Sequence, residues 1–463
     1  MSINRLVEIG KSALFTAQQA ISVAGHNIAN VNTPGYSRQA VSLAENRPEN
    51  GSPGQIGTGV HVETIRRSFD AFVEEQLLGS RERLGEFTAS SNALARLEPI
   101  FGDANNLGIG TGLNEFFSAL QDVATNPNDL SARTVFLSKA TALAGRFNQA
   151  AADLTAAQGF LNRQVEQTVT DVNRLASRIA DLNAKIAGAE SSGQQANDLR
   201  DQRGVALADL GELIEISSIE DTVGQLTIFA GRGHTLVDKE RTYQLVAASD
   251  PGNSGLLEVR HDGGAGSTTS LGSVIQSGRL KGLLDVRDLT IPSLRAGLDT
   301  LASELVTQVN QRHRLGFGLD GSTNQDFFAP AGTTAATMAV SLTDVRQFAA
   351  SSTAGGVPGN NANALALGGL RNTNLVSFGN VTFQEYYSTI AGNFGSIAQG
   401  AEGSLRAQEV LHDQLTSQRA AISSVSMDEE LANLLLYQRS FEAASRMIVI
   451  ADEMFQSILS IKR

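Results

Sequence analysis

The stretch ANVNTPGYSRQ, residues 29–39, ends a strongly patterned N-terminal segment and decides how the remainder of the chain is arranged. Pro34 disfavours helical geometry at Thr33 and has no backbone N–H to donate. Gly35 accepts the positive φ that a type II turn requires at its third residue. The sequence therefore predicts that a helix stops here and that the chain turns sharply. Taken alone, the Pro-Gly pair is common turn punctuation and is compatible with a purely topological role.

Composition limits the classes of function. At 463 residues the chain is long enough for about two to four domains. Its net charge of -12 gives no basic field for nucleic acid or an anionic membrane. The absence of cysteine excludes disulfides, thiolate nucleophiles and cysteine-based zinc sites. The first residues lack the features of a cleavable signal peptide, and no apolar run is long enough to span a bilayer. We therefore expect neither nucleic-acid binding nor membrane insertion.

Both ends of the chain carry apolar residues at seven-residue intervals, which is typical of helices that pack along a seam. The N-terminal segment has a bulky row and a small row: Val7, Leu14, Ile21 and Ile28, and Ile3, Gly10, Ala17 and Ala24. The C-terminal segment has the rows Leu434, Phe441, Ile448 and Phe455, and Tyr437, Ala444, Ala451 and Ile458. Ser426 and Glu429 have the spacing of a capping box, so the last helix is expected to begin at Ser426.

These two amphipathic helices leave two interpretations open. A single heptad seam is commonly buried in an ordinary intramolecular coiled coil. Alternatively, the faces that the two helices cannot cover for each other pack between subunits of a helical or tubular assembly. Heterologous contacts of that kind propagate into filaments. The second interpretation gains support because both ends have this character and neither is charged enough to be a solvated tail.

The predicted fold is mainly α with an inserted β-rich domain. It is an elongated, discontinuous helical bundle or coiled coil with its N- and C-terminal helices paired at one end. A long helix is expected from about Leu130 to about Ala189, and a short hairpin is possible around Met338 to Phe348. The predicted parts are a terminal coiled-coil core domain (1–39 and 426–463), an extended connector with at most short strands around Pro48 and Pro53 (40–67), a helical rod domain (68–212, 273–328 and 376–425), a β-rich insert domain (213–272) and a Gly/Asn/Ala-rich segment (329–375).

No pattern in the chain supports catalysis or ligand binding. The histidines are scattered without the spacing of a helical zinc site: His26, His61, His234, His261, His313 and His412. The glycines of 108–112 precede a helix, but the flanking strand and lysine of a phosphate-binding loop are missing. The acidic stretch 320–326 lacks the central glycine and terminal glutamate of a calcium loop. The sequence predicts no catalytic residue, no cofactor and no metal.

The two ends resemble the bacterial flagellar axial proteins, which include rod, hook and hook-associated subunits. The resemblance rests on the signature turn, with Asn30, Thr33, Pro34, Gly35 and Tyr36, and on the closing helix, with 426–434, 437–443 and 451–455. The interior decides among these subunits, and it is similar to the hook-associated protein 1 family of the hook–filament junction. Its matching stretches are 112–120, 126–127, 197–203 (NDLRDQR), 282–288, 298–313 and Phe327-Phe328.

This resemblance implies a non-enzymatic, secreted structural subunit of the flagellum, exported by the flagellar type III system without a cleaved signal. It implies assembly as a ring of copies between hook and filament, in contact with the hook protein and the second junction protein, hook-associated protein 3. Assembly would use the terminal helices, with Val7, Leu14, Ile21, Ile28, Leu434, Phe441, Ile448 and Phe455, which in such families form the inner core of the tube and are disordered in the isolated monomer.

The resemblance also implies an export chaperone that binds Leu434, Phe441 and Ile448. The signature turn would be the bend through which the core helix leaves the tube and passes the chain outward. The segment 316–375 is short for a family that can carry an outer domain there. The alternatives are another rod or hook subunit, a secreted interaction module such as an adhesin, or, more remotely, an enzyme with its site in the β-rich insert.

Overall fold

The computed structural model of the chain describes residues 3–51, 54–102, 108–191, 193–264 and 266–461. Pro53 of the predicted connector, and residues 1–2 and 462–463 of the predicted core domain, lie outside this part. The α-helices are α1 (Ile3–Ala29), α2 (Ala71–Ala95), α3 (Glu98–Phe101), α4 (Ile109–Thr125), α5 (Leu130–Glu190), α6 (Asn197–Leu213), α7 (Gly278–Asp285), α8 (Ile291–His313), α9 (Ala362–Gly369), α10 (Phe383–Ser423) and α11 (Met427–Ile461). The strands are β1 (Gln39–Glu45), β2 (Glu49–Gly51), β3 (Gly54–Ile56), β4 (Val60–Arg67), β5 (Ile216–Glu220), β6 (Leu226–Ala230), β7 (His234–Asp238), β8 (Arg241–Thr242), β9 (Gln244–Ser249), β10 (Leu257–Asp262) and β11 (Thr268–Ser270).

The first and last helices pack against each other, as predicted, and they run antiparallel. Asn27, near the end of α1, contacts Glu430 at the start of α11, whereas Gly10 lies against Ile448 further along. The end of α1 and the start of α11 lie together, so the chain leaves the α1–α11 pair and returns to it at the same end. The predicted fold class, mainly α with paired terminal helices and a β-rich insert, is thus confirmed.

The structure of the segment after the signature turn differs from the prediction. Residues 40–67 were expected to be an extended connector with at most short strands, because of their prolines and glycines. Instead β1 and β4 pair antiparallel over seven and eight residues, from Gln39↔Arg67 to Glu45↔Val60, and β2 and β3 pair beyond them. The glycines sit in the ends and turns of a ribbon, whose strands alternate half-buried and exposed residues against α1.

The middle of the chain is a bundle organised along α5. This helix covers 61 residues and confirms the long helix expected from the sequence. Its later half buries both predicted heptad rows: Leu161, Val165, Thr168, Val172, Leu175, Ile179, Leu182 and Ile186. α2 and α10 lie antiparallel beside each other, joined where Gln408 donates to the Ser80 hydroxyl at 2.8 Å and Arg419 donates to Glu74 at 2.6 Å.

The β-rich insert contains two small sheets. The order of one is β5-β6-β7-β8, and the order of the other is β11-β10-β9. The predicted strands around 225–229 and 256–259 are present as β6 and β10. Asn183 of α5 is fully buried and binds the insert through the carbonyl oxygens of Leu226 and Lys239, each at 2.8 Å. The sheets therefore dock onto the far half of α5.

The structure of residues 329–375 also differs from the prediction. The possible hairpin around Met338 to Phe348 does not form; Val340 makes one isolated bridge to Phe328, and Val345–Gln347 is a 3-10 turn. Buried Arg133 of α5 donates to the carbonyl oxygens of Val345 and Phe348. These bonds replace a strand ladder, because the carbonyls of an irregular buried segment still need donors. The short helix α9 was not predicted.

Candidate functional site

The signature turn has the geometry that its sequence predicts. The Tyr36 N–H donates to the Thr33 carbonyl at 3.2 Å, and Gly35, the third residue of this turn, has φ of +77°. Pro34 occupies the second position, where its fixed φ suits a type II turn. Just before it, the Thr33 hydroxyl donates to the Asn30 side-chain oxygen at 3.1 Å. The turn ends α1 and directs the chain into β1.

Gly35 is required for a second reason that the sequence alone did not reveal. A Cβ atom at this position would lie 2.2 Å from Cγ2 of Val205 in α6. Only a residue without a side chain lets the turn approach α6 this closely. From the other side, Arg419 of α10 reaches the Gly35 carbonyl at 3.5 Å. The turn is thus enclosed by two helices of the bundle.

Asn27 joins the turn, the ribbon and the last helix. Its side chain is fully buried, and its oxygen accepts from the Tyr36 hydroxyl at 2.7 Å and from the Gln39 N–H at 2.9 Å. Its amide nitrogen donates to the Gln39 carbonyl at 2.8 Å and to Glu430 at 3.1 Å. One amide side chain therefore satisfies backbone and side-chain groups from three elements.

Glu430 anchors α11 to the same point. Its carboxylate is only 3% exposed and accepts from Arg38 Nε at 2.7 Å as well as from Asn27. The Arg38 guanidinium also lies 3.0 Å from the Glu429 carboxylate. The backbone N–H of Arg38 donates to the Ser423 carbonyl at the end of α10. A buried carboxylate with both a cation and an amide donor avoids the cost of an unpaired charge.

The predicted capping box at the start of α11 forms in one direction. The Glu429 N–H reaches the Ser426 hydroxyl at 3.5 Å, and the helix begins at Met427, next to the predicted Ser426. The Glu429 carboxylate contacts Arg38, so the side chain expected to cap the helix takes part in its attachment.

Two carboxylates of α6 hold the signature turn from the bundle side. Asp201 accepts from the Ser37 N–H at 2.8 Å and from Arg67 of β4 at 2.7 Å. Asp198 accepts from the Gln39 side chain at 2.7 Å. We call the connected set Asn27, Tyr36, Ser37, Arg38, Gln39, Arg67, Asp198, Asp201 and Glu430 the joint. It links α1, α6, α11 and the ribbon.

The electrostatics of the joint keep Tyr36 as a hydrogen-bond donor. Burial raises the pKa of the Tyr36 phenol, and the carboxylates of Asp198, Asp201 and Glu430 raise it further. A phenol surrounded by carboxylates stays protonated because ionisation would add a fourth negative charge to a partly buried site. Its proton therefore remains available to the Asn27 oxygen.

Beyond the joint, α1 contacts α11 through its small row. Gly10, Ala17 and Ala24 are buried, whereas the bulky row Val7, Leu14, Ile21 and Ile28 is half-buried. A Cβ atom at Gly10 would lie 2.8 Å from Cγ1 of Ile448, so the helices approach closely here. From this contact and the seven-residue spacing of an antiparallel pair, we expect Ala17 to lie near Phe441 and Ala24 near Leu434. Small residues on one helix thus face large residues on the other.

Outside its contact with α1, α11 exposes large apolar side chains on several sides of the helix. Leu434, Phe441 and Ile448 are half-buried, whereas Phe455 is 44% exposed. Ala444 and Ala451 are its buried apolar residues. We use the name outer face of α11 for all of its exposed large apolar residues, including Phe455, which continues the heptad row of Leu434, Phe441 and Ile448 beyond the contact with α1: Met427, Leu431, Leu435, Leu436, Val449, Ile450, Met454, Phe455, Ile458, Leu459 and Ile461.

Sequence reasoning identified the turn and the heptad rows but missed the buried polar residues of the joint. Asn27 continues the row of Ala13 and Ala20 at a seven-residue interval. A lone amide in a row of small apolar residues was the available signal, since such residues are buried only with partners. Glu430 was visible only as part of an acidic first turn, which a helix dipole explains equally well.

The described residues contain neither a membrane-spanning helix nor a cluster of metal ligands. None of their helices combines the length and apolar character needed to cross a membrane. No group of three or more histidine, aspartate or glutamate side chains within this part of the chain is arranged to hold a metal ion.

Comparison with protein families separates the interior from the ends. Residues 94–328, just over half of the chain, match the model described as "Flagellar hook-associated protein FlgK helical domain". Residues 8–36 match "Flagella basal body rod protein", and residues 416–461 match "Flagellar basal body rod FlgEFG protein C-terminal". The ends therefore match models of flagellar basal body rod proteins, whereas the interior matches a model of the FlgK helical domain.

Curated relatives match over nearly their full length. Flagellar hook-associated protein 1 of Bacillus subtilis (strain 168) is 28% identical over 98% of this chain and 97% of the relative. The protein of the same name from Salmonella typhimurium is 25% identical over 99% of this chain and 100% of the relative. The structure of the flagellar hook junction protein FlgK from Burkholderia pseudomallei has a similar fold, with a TM-score of 0.67 and 19% identity over 76% of this chain and 100% of that chain. Because the FlgK model matches more than half of its length, the chain belongs to the flagellar hook-associated protein FlgK family, whose members are structural subunits of the hook–filament junction.

Proposed function

We propose that the α1–α11 pair is the element through which this junction subunit assembles into the flagellar axis. The observation that carries the proposal is the outer face of α11, where large apolar side chains are exposed along a helix that packs mainly against α1. A helix that is apolar on more than one side needs more than one neighbour. Large apolar side chains exposed in this number along one helix indicate an interaction site.

The neighbours that fit are copies of this chain in a ring, the hook protein on one side and hook-associated protein 3 on the other. Identical subunits that present the same helix pair bury the same faces against each other repeatedly, which produces a closed ring or a tube. The interaction is structural, and we assign no reaction to the protein. The contacting side chains are Val7, Leu14, Ile21 and Ile28 of α1 with the outer face of α11.

An export chaperone is proposed to bind α11 before assembly. Leu434, Phe441 and Ile448 are the row that lies half-buried toward α1. Because one row cannot contact both partners, chaperone binding and α1–α11 pairing exclude each other. Replacing Leu434, Phe441 and Ile448 with alanine is expected to weaken capture of the chaperone by the full chain. Unchanged capture by this variant, with loss on substitution of the outer face, would reject the assignment.

The signature turn and the joint are proposed to act as a rigid elbow between the assembly element and the outer parts. In this proposal residues 1–39 and 426–463 form the core domain, 68–212, 273–328 and 376–425 form the rod domain, and 213–272 form the insert domain. The elbow is fixed because Asn30, Thr33, Pro34, Gly35 and Tyr36 lie between helices that bind the turn from both sides.

Polar substitution of the outer face tests the proposed function directly. Leu435 and Ile450 are 57% and 51% exposed, so replacing both with glutamine should leave the chain folded and exported. Cells with this variant are expected to lose the filament at the hook, seen by electron microscopy and by spreading in soft agar. The matched control replaces the exposed polar residues Gln438 and Glu442 of the same helix with alanine. Normal swimming by the Leu435→Gln/Ile450→Gln cells would contradict the proposal.

A further inference from the structure

Two loops pack together beside the last turn of α8. We call residues 316–328 the first loop and residues 345–351 the second loop. The two are joined through their backbones, since the Phe317 N–H donates to the Ser351 carbonyl at 2.8 Å and the Ser351 N–H donates back at 3.3 Å. Neither loop contains a strand, so most of their polar backbone groups need partners from outside a ladder. Side chains of the neighbouring helices supply some of these partners.

His313 of α8 binds one loop with each nitrogen of its ring. Nδ1 lies 2.7 Å from the Gln325 carbonyl oxygen in the first loop, and Nε2 accepts from the Ala349 N–H in the second loop at 3.0 Å. A carbonyl oxygen can only accept, so Nδ1 carries the proton, whereas Nε2 must be unprotonated to accept from an N–H. The two loops therefore fix one neutral tautomer of the imidazole.

The ring is buried between aromatic side chains of both loops. His313 is 1% exposed, and its ring centroid lies 5.7 Å from that of Phe327 and 5.6 Å from that of Phe348. The guanidinium of Arg133 in α5 already lies 5.6 Å from the centroid of the Phe348 ring. A positive charge on His313 would thus be removed from water and placed close to a second buried cation.

The charges around the ring do not compensate for this burial. Burial lowers the pKa of the His313 imidazole, although the Gln325 carbonyl and the Asp326 carboxylate favour the protonated form, and Arg133 lowers the pKa further. The Asp326 carboxylate also lies 2.6 Å from Arg314, so its charge is shared with another cation. The other charged residues of the two loops, of the residue before the second loop and of the last turn of α8 are Arg312, Asp320, Asp344 and Arg346.

We propose that His313 is an acid-sensitive clasp, which holds the first and second loops together only while its ring is neutral. Protonation of Nε2 would direct a hydrogen at the Ala349 N–H and deprive that N–H of its acceptor. It would also bury a cation whose neighbouring carboxylate is bound by Arg314. Opening of the loops removes both costs, because the ring then reaches water. The clasp lies in the body of the subunit and is independent of the function proposed for α1 and α11.

The sign of the pH dependence follows from the lowered pKa of the closed state. The closed state excludes a proton that the open state binds with the ordinary histidine pKa of about 6.5. As the pH falls below this value, the open population is expected to rise about tenfold per pH unit, until the pKa of the closed state is reached. The clasp is therefore closed at neutral pH and is increasingly released in acid.

Amide hydrogen exchange of the full chain, followed by mass spectrometry, tests the clasp. Exchange is measured from about pH 7.5 to about pH 5, on both sides of the ordinary histidine pKa, and is expressed as protection relative to an unstructured amide at the same pH. Protection in both loops is expected to fall about tenfold per pH unit below about pH 6.5. Residues 161–186 of α5, which include the bonds of Asn173 and Asn183 to the insert, are the internal reference and should keep their protection.

His313→Gln should abolish the pH dependence of the loops. Glutamine can accept from the Ala349 N–H and stays neutral throughout this range. It cannot also reproduce the bond to Gln325, so the loops should exchange faster at every pH, but their protection should no longer fall in acid. His61→Gln, at an exposed position of β4, is the matched control and should keep the fall seen in the unmodified chain.

A measurement without substitution covers the case in which the His313→Gln chain does not fold. In the unmodified chain, the carbon-13 NMR signal of the His313 ring is expected to report a neutral imidazole at about pH 6.5, where an ordinary histidine is half protonated. If His313 becomes protonated there while both loops keep their protection, the clasp does not exist. An acid-dependent loss of protection that is absent, or is equal in the unmodified and His313→Gln chains, would equally reject the proposal.

Discussion

At the residue scale, glycine is required at position 35 for two reasons: the backbone is left-handed there, and Val205 lies too close to leave room for a side chain. Gly35→Val places a β-branched side chain at positive φ, which costs about 1–2 kcal/mol before any clash, and its Cβ then overlaps Val205. We expect a lower free energy of unfolding in urea and loss of the hook–filament junction.

Gly25→Ala is the matched control for this substitution. Gly25 lies within α1, and a Cβ atom there meets nothing within 4 Å. Alanine in a helix is favoured over glycine by roughly 0.5–1 kcal/mol. The control should therefore be neutral or stabilising. If the Gly35→Val chain were as stable as the unmodified one and formed normal junctions, neither the left-handed backbone nor the close approach to Val205 would require glycine.

Asn27 is the residue on which the joint depends most. Asn27→Ala leaves the Tyr36 hydroxyl and the Gln39 N–H without their acceptor, and unsatisfied buried groups cost about 1–3 kcal/mol each. We expect destabilisation of roughly 2–4 kcal/mol in urea titration. Asn4→Ala, at an exposed position of the same helix, should change stability by less than about 0.5 kcal/mol. Equal effects of the two substitutions would contradict the role given to Asn27.

At the element scale, the periodic helices could be predicted from the sequence, whereas the joint could not. The rows of α1, α5 and α11 repeat locally, so their packing faces are visible within one segment. The bonds of Asn27 to Gln39 and to Glu430 span 12 and 403 residues, and no local pattern encodes the second of these. The ribbon was not predicted because the glycines and prolines of 40–67 indicated a connector, and this signal outweighed the alternating apolar and polar residues of 60–67 that are typical of a strand.

The contact of α2 with the insert makes stability depend on pH. Glu82 of α2 accepts from the Ile216 N–H at 3.0 Å and from the Ser277 hydroxyl at 2.9 Å, and burial raises the pKa of its carboxyl to about 7. The folded chain therefore holds this proton at a pH where the unfolded chain has lost it. Glu82 contributes stability at low pH that is lost as the pH rises through about 7.

Glu82→Gln should flatten this dependence because glutamine stays neutral. The slope removed is at most about 1.4 kcal/mol per pH unit. Burial also raises the pKa of Glu86, so a smaller slope of the same sign should remain. Urea titrations at several pH values, from below the usual glutamate pKa to above about 7, measure the effect. Glu75→Gln, at an exposed position of α2, is the control. If Glu82→Gln and Glu75→Gln gave the same profile, Glu82 would not be the group responsible.

At the scale of the whole molecule, the chain consists of a well-buried body and a helix pair with little burial of its own. Most of α5 along its length faces other elements, whereas the buried residues of α11 are Glu430, Ala444 and Ala451. Local stability follows the density of buried contacts. The ends should therefore open in the isolated subunit far more often than the body.

Limited trypsin digestion measures this difference. In the isolated chain we expect the first cuts at Arg439 and Arg446, which are exposed on α11, and late cuts at Arg133 and Arg287, which are each 1% exposed. In purified hook–filament junctions the cuts in α11 should disappear, because neighbouring subunits would cover the outer face. Early cleavage of the body with a protected α11 in the isolated chain would contradict both the assembly proposal and the order of local stability.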